Sequence, residues 1–299
     1  MKIRIQSIPA AVVLLVSAAA WGAPDPFADV EISTTHVAGP VHMLTGAGGN
    51  LAVSVGQDGT LIVDDQFLPM APRIQDAIDG LGGGRPAYIV NTHHHGDHVG
   101  GNPFFGQTGT IVAHENVRVR LLAGGELPEH ALPSITHASG MAVHFNGEEI
   151  VLLHLPRGHT DGDSAVWFKG SNVLHTGDQL FNGRFPFVDI EGGGTVGGYM
   201  ANLEAILAAV PADIRVIPGH GELCDVAAVR LNLETIGATR RTVVEALDAG
   251  ATVEQVIESG LGAEYAAWGS GFINEERWIR IIAADRRMRQ SANSALSSR

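Results

Sequence analysis

The chain has little cysteine, no strong basic character and only one long apolar run. Cys224 is its one cysteine. A lone thiol cannot close an internal disulfide, so stability must come from a packed core. The apolar run, Ile8–Ala20, covers about 13 residues, whereas a bilayer-spanning helix needs about 20. No twin arginine precedes it. Basic residues number 19 against 32 acidic ones, a formal charge of −13. That balance argues against nucleic acid as a partner, because such binding needs a basic footprint. The Gly-rich stretch Gly192–Gly198 is not followed by Lys-Ser/Thr, so it is no phosphate cradle; a mobile flap is the alternative.

What is present is ordinary globular composition, 45% hydrophobic and 17% charged over 299 residues, enough for one large core. The 38 glycines suggest tight turns between short strands. Lys2 and Arg4, the apolar run, and small residues at Ala18, Ala20 and Gly22 read as a cleavable export leader. The expectation is a leader over residues 1–22, one domain over residues 23–299, and a periplasmic or secreted location. No stable membrane insertion is expected after cleavage. Loss of Lys2 and Arg4 would move the formal charge from −13 to about −15.

The chain is organised around Asn91–Asn102, NTHHHGDHVGGN. It follows the apolar Tyr88-Ile89-Val90, which reads as a buried strand, and ends in a Gly-Gly turn signal. In an extended chain His93, His95 and Asp97 point to one side, and a turn is needed to bring in His98. Neutral imidazole and carboxylate suit zinc. One metal cannot easily take all four groups and leave room for a water; two can.

THHHGDHVGG resembles the T-H-x-H-x-D-H-x-G-G signature of the metallo-β-lactamase superfamily. The resemblance implies further ligands at strand ends. They fall on His159 in Gly158-His159-Thr160, Asp178 in Gly177-Asp178, and His220 in Pro218-Gly219-His220-Gly221. It implies one zinc on His93, His95 and His159, a second on Asp97, His98 and His220, and Asp178 between them. Iron or manganese are alternatives to zinc. Asp65, closing a strand beside the loop, is assigned the orienting role that metal-bound histidines require. His94 is read as pointing away and bracing the loop. His36, His42, His114, His130, His137, His144, His154 and His175 are read as surface or core residues, and Cys224 as a small buried residue rather than a ligand.

Strands are expected at Val41–Leu44, Leu51–Val55, Thr60–Val63, Thr110–Ala113, Met141–Phe145, Ile150–Leu155, Ser164–Phe168, Val173–Thr176 and Ile214–Ile217. Helices are expected at Pro69–Leu81, Glu115–Ala123, Tyr199–Val210, Val226–Leu247, Val253–Ser259 and Asn274–Met288. Gly124–Gly140 shows no period and reads as a long connection or lid. The two passes of strands and helices fit four layers. The resemblance implies the α+β class: an αβ/βα sandwich with two mixed sheets, outer helices and the site at one edge.

The function implied is a di-zinc hydrolase in which a metal-bridging hydroxide opens a small ester, lactone or β-lactam-type amide. Asp97 is the catalytic proton carrier, and a small molecule is the only partner expected. A β-lactamase-like activity is the leading expectation. The alternative is a thioester or lactone hydrolase of glyoxalase II or lactonase type, which the aspartate at 178 matches. An iron-loaded redox enzyme and a non-catalytic metal binder are further alternatives. Arg184 is the candidate anion anchor and Phe181 a candidate pocket wall, with Phe185 and Phe187 beside it. Trp268, Phe272 and Trp278 are expected to pack the last helices on the core.

Overall fold

A computed structural model gives the structure of residues 26–297. The expected leader over residues 1–22 lies outside the described residues.

Seven strands form the first sheet, in spatial order equal to chain order: β1 (Ser33–Ala38), β2 (Val41–Thr45), β3 (Leu51–Gly56), β4 (Gly59–Val63), β5 (Pro86–Asn91), β6 (Thr110–His114) and β7 (Ile135–His137). β1 to β4 pair antiparallel, and β4 to β7 pair parallel. The second sheet holds β8 (Gly140–Phe145), β9 (Glu148–His154), β10 (Ser164–Phe168), β11 (Val173–His175), β12 (Arg215–Ile217) and β13 (Cys224–Asp225), in spatial order β13-β12-β11-β10-β9-β8. Its β11–β12 pair is parallel and the rest antiparallel. The helices are α1 (Ala71–Gly80), α2 (Gly96–Val99), α3 (Asn102–Phe105), α4 (Glu115–Ala123), α5 (Val196–Ala209), α6 (Val226–Asp248), α7 (Val253–Ser259) and α8 (Glu275–Ser297).

The side-chain period of two explains the layering. On the first sheet Leu61, Val63, Val90 and Val112 face inward and meet Ile150, Leu152, Val166 and Phe168 of the second sheet. Their neighbours Ile62, Ile89 and Ile111 face outward and pack on Ile74 and Ile78 of α1. The outer face of the second sheet, with Ala165, Leu174 and Val216, packs on Leu203, Ile236, Ile279 and Ile282 of α5, α6 and α8. Because central strands are covered on both faces, they read as unbroken apolar runs rather than alternations. The fold is thus α+β, helices on either side of two mixed sheets.

Three local expectations are corrected. Residues 124–140 are not a featureless lid: they contain a 3-10 turn at Glu129–Ala131 and the edge strand β7, paired to β6 through Val112↔Ile135 and His114↔His137. A three-residue strand is too short to show a period. The Gly192–Gly198 stretch is pinned rather than flap-like. Gly192 N and Gly194 N donate to Asp189 Oδ1 and its backbone oxygen, both at 2.8 Å. A Cβ at Gly194 would overlap the His159 carbonyl, so glycine is what lets this loop pass under that histidine. α5 begins at Val196 because the Thr195 hydroxyl caps it, accepting from Gly198 N at 2.9 Å.

Candidate metal centre

Every expected ligand arrives from a strand end at one rim of the sandwich. β5 ends at Asn91, and the chain turns into α2 through His93 and His95, with Asp97 and His98 inside that helix. His159 follows β9, Asp178 lies in a 3-10 turn after β11, and His220 follows β12. Two donor groups result: His93, His95, His159 and Asp178 in one, and Asp97, His98 and His220 in the other, the donor atoms of each within 4.8 Å of one another. Asp178 joins them. Its Oδ1 is 3.1 Å from His98 Nε2 and 3.4 Å from His220 Nε2, while its Oδ2 is 3.4 Å from His159 Nε2.

The outer hydrogen bonds fix which nitrogen of each ring faces inward. His98 Nδ1 donates to Asp64 Oδ2 at 2.8 Å. Thr92 Oγ1 also donates to that carboxylate at 2.8 Å, and lies 3.0 Å from His93 Nδ1. With its hydrogen given to Asp64, Thr92 can only accept from His93. His159 Nδ1 donates to the Phe187 carbonyl at 2.7 Å, and His95 Nε2 to Asp189 Oδ2 at 3.0 Å. The inward nitrogens of His93, His95 and His159 are therefore bare lone pairs: Nε2, Nδ1 and Nε2. Burial opposes charge on His98, but Asp178, Asp64 and Asp97 hold it well above the usual imidazole range, so a metal at its Nε2 would displace a proton. Two of these contacts, His93 Nε2 to His95 Nδ1 at 3.1 Å and His159 Nε2 to His95 Nδ1 at 2.8 Å, then set lone pair against lone pair. Only a cation between them makes that arrangement favourable. His98 Nε2 and Asp178 Oδ1 are also buried without a hydrogen-bond partner, the sign of an atom that serves an ion. The residues present fit a pair of metal ions.

The electrostatics agree. Burial, then the neighbouring His98 and His159, hold His93 well below the usual imidazole range, and burial takes His159 down to about 4. Both are neutral at pH 7, the form that ligates. Burial opposes ionisation of Asp178, but His98, His220 and His159 hold it well below the usual carboxylate range. Burial likewise opposes charge on His220, but Asp178 and Asp97 raise it to about 9. This half of the site carries surplus negative field and attracts cations of either kind, protons or metals.

Asp65 does not orient the histidines. It accepts from Gly101 N at 2.8 Å, and burial, then the charge of Asp64, push it well above the ordinary carboxylate range. The contact to the rings belongs to Asp64, whose φ of 62° turns its side chain toward the loop where strand geometry would have turned it away. Asp64 also accepts from Thr92 N at 2.7 Å. Asp189 was not anticipated either; it lies outside any strand, and only its bond to His95 reveals it. His94 belongs to neither main group; it forms a third, less buried one with His95 and Asp189, its ring centroid 4.7 Å from that of His95. The other histidines include a cluster of their own, His114, His137 and His154, with His114 and His154 stacked at 3.9 Å. Cys224 sits on β13 and is in neither donor group.

Above the donors lies a cavity of about 530 Å³, lined by Asp97, Asp178, His220, Phe181, Arg184 and Phe187 among others. Phe181 is buried and stacks on the His220 ring, 4.9 Å and 18°, so it steadies a donor as well as walling the cavity. Phe185 reaches the cavity but stacks on Trp278 in the core at 5.7 Å. Phe272 departs from the core role expected of it: it is 72% exposed at the cavity rim. Arg184 has no charged or hydrogen-bonded side-chain partner among the described residues, and it is exposed and lines the cavity.

Fold and donor set together define a metal-dependent hydrolase. A family model, "Metallo-beta-lactamase superfamily", matches residues 48–220, and the chain belongs to that superfamily. It is 31% identical over 217 residues to a hydroxyacylglutathione hydrolase of Methylococcus capsulatus, covering 69% of this chain and 76% of that protein. It is 39% identical over 139 residues to another of that name from Halorhodospira halophila, where it spans about half of that relative, 48%. Among solved structures, a metallo-beta-lactamase from Pontibacter korlensis superposes with a TM-score of 0.60 at 17% identity, covering 69% of this chain and 99% of that one. At that identity the likeness shows the fold alone.

Proposed function

We propose that the chain is a di-zinc hydrolase of thioesters and esters. The observation that carries this reading is Asp178, a carboxylate whose two oxygens reach separate donor groups on the floor of an aromatic-walled cavity. The curated relatives named hydroxyacylglutathione hydrolase support it. Two borderline-soft cations suit the His and Asp donors. When bound, they lower the pKa of water toward neutrality and polarise an acyl carbonyl.

The chain's own residues do the rest. Asp97 is 28% exposed toward the cavity, and its Oδ2 lies 3.3 Å from His220 and 3.5 Å from His98. Burial opposes its ionisation, but His98 and the hydrogen bond from His220 hold it below the ordinary range. It is thus a carboxylate at neutral pH, placed to accept a proton from water and return it to the leaving sulfur or oxygen. Asp64 and Asp189 keep the imidazoles in the ligating tautomer. The phenylalanine walls exclude water around the reacting carbonyl.

Opening of a β-lactam is the second reading. It is favoured by Arg184, a guanidinium on the cavity wall with no side-chain partner among the described residues, which suits a substrate carboxylate. We also propose that the N-terminal segment directs export and that residues 23–299 form one unit; fractionation of cells expressing the full chain tests the first. A panel of S-lactoylglutathione, aryl esters, homoserine lactones and nitrocefin, run on zinc-loaded protein, tests the main reading. Thioester and ester turnover is expected. Nitrocefin turnover alone would put the second reading first, and no turnover of any acyl compound would reject both.

A further inference from the structure

We propose that the substrate carries an unbranched apolar chain, which leaves the catalytic cavity past Phe272 and lies in a groove along α8. The inference rests on the acyl-hydrolase reading and names its substrate class.

The groove is a second cavity of about 530 Å³ whose walls include Ile190, Ile281 and Ala284. It shares Phe187, Phe272 and Ile273 with the catalytic cavity, so the two adjoin along these residues and make a trough in two parts. A line of rings marks the path. Phe187 lies 5.7 Å from both His95 and His159, and meets Phe272 edge-on at 6.2 Å. Phe272 stands between the two spaces with 72% of its surface exposed, although a residue of that size usually buries a large area. It is nevertheless fixed. The Arg277 guanidinium lies 5.0 Å over its ring and donates to its carbonyl at 2.9 Å. A braced, exposed aromatic between two apolar spaces is what an apolar ligand, arriving later, would cover.

Charge in the trough narrows the occupant. Arg280 is already paired with Glu276 and Glu254, and Asp189 is held by His95 and Gly192. Glu191, Arg277 and Arg287 also line the groove, and beside them Val188, Ile190, Ile281 and Ala284 supply its apolar wall. An alkyl chain would gain, at most about fourfold in affinity per fully buried methylene.

The test compares p-nitrophenyl acetate with p-nitrophenyl decanoate on the zinc-loaded protein, and measures butyrate and decanoate binding by calorimetry. For the native chain, kcat/KM for the decanoyl ester should exceed that for the acetyl ester by about tenfold or more. Decanoate should bind at least as much more tightly than butyrate. Ala284→Phe fills the groove without entering the catalytic cavity. It should remove both preferences and leave acetyl ester hydrolysis within about twofold. Phe272→Ala, an exposed change that tests the same path without overpacking, should weaken both preferences. Equal rates and affinities for short and long chains would overturn the inference, as would an Ala284→Phe variant that keeps the preference. If neither ester is hydrolysed but decanoate still binds in an Ala284-dependent way, the groove stands and the acyl-hydrolase reading falls.

Discussion

The molecule holds two clusters of histidines, and they are built in opposite ways. Around Asp178, each of four imidazoles has its outer nitrogen tied down, and its inner nitrogen converges on a carboxylate. In the second cluster His114 Nε2 donates to Ala138 O at 2.8 Å, while its Nδ1 accepts from Asn116 N at 3.2 Å. His154 turns its Nδ1 to the Asp163 carbonyl at 3.0 Å, and its ring stacks flat on His114, 11° from parallel. The nitrogens diverge, and among the described residues no carboxylate side chain bonds these three rings. Gathering imidazoles does not make a metal site; aiming their lone pairs at one point beside a carboxylate does.

Changes in the first cluster should cost metal and activity, and the largest effect is expected from Asp178→Ala. It removes the group shared by both donor sets, so bound zinc and kcat/KM should fall together, by more than about 100-fold in activity. Metal analysis and steady-state kinetics on one preparation read this. Asp64→Ala should come next, at about 10–100-fold, because it releases His98 and, through Thr92, His93. Asp189→Ala frees one ligand ring, His95, together with the Gly192 N–H, and should lie toward the lower end of that range. Retention of full zinc by the Asp64 variant would show that the tautomers are not set as described.

Changes in the second cluster should cost only stability. His137 has a buried Nδ1 with no partner, and burial, then His114 and His154, hold it down to about 4. His154 is lowered too, by burial and then by His114. In the unfolded chain both rings titrate near about 6.5. Between that value and the lower folded ones, about 4 for His137, the unfolded state binds more protons, so stability is complete above about pH 6.5 and is lost as pH falls through the folded values. Urea midpoints at pH 7.5 and pH 5 should differ in that direction, and His137→Phe should reduce the difference while keeping the zinc content. The smallest effect is expected from Cys224→Ala, within about 0.5 kcal/mol of the native stability and with unchanged metal content. Burial pushes that thiol up to about 12, so it is not the thiolate a zinc ion would need.

Much of this was legible in the sequence, for physical reasons. The apolar runs are continuous where strands are covered on both faces, and the donor residues stand at their ends, next to glycines that the packing demands. A Cβ at Gly49 would overlap the His98 ring, and one at Gly219 would overlap Asp178 Oδ1. What was not legible depended on direction rather than identity. Asp64 and Asp65 are neighbours of one type, and only a positive φ decides which carboxylate meets His98. Asp189 reaches His95 across 94 positions of chain. Phe272 looks like any other core aromatic until the cavity on each side of it is seen. β7 is too short to carry a pattern of its own.

The most direct measurement is the zinc content of the purified native chain beside that of Asp178→Ala and His114→Phe, after exhaustive dialysis against metal-free buffer and reloading. Two zinc ions per native chain, two in the His114 variant, and fewer than two in the Asp178 variant are expected. A native chain that holds no zinc, or an Asp178 variant that holds as much as the native one, would contradict the convergence of donors on which everything here depends.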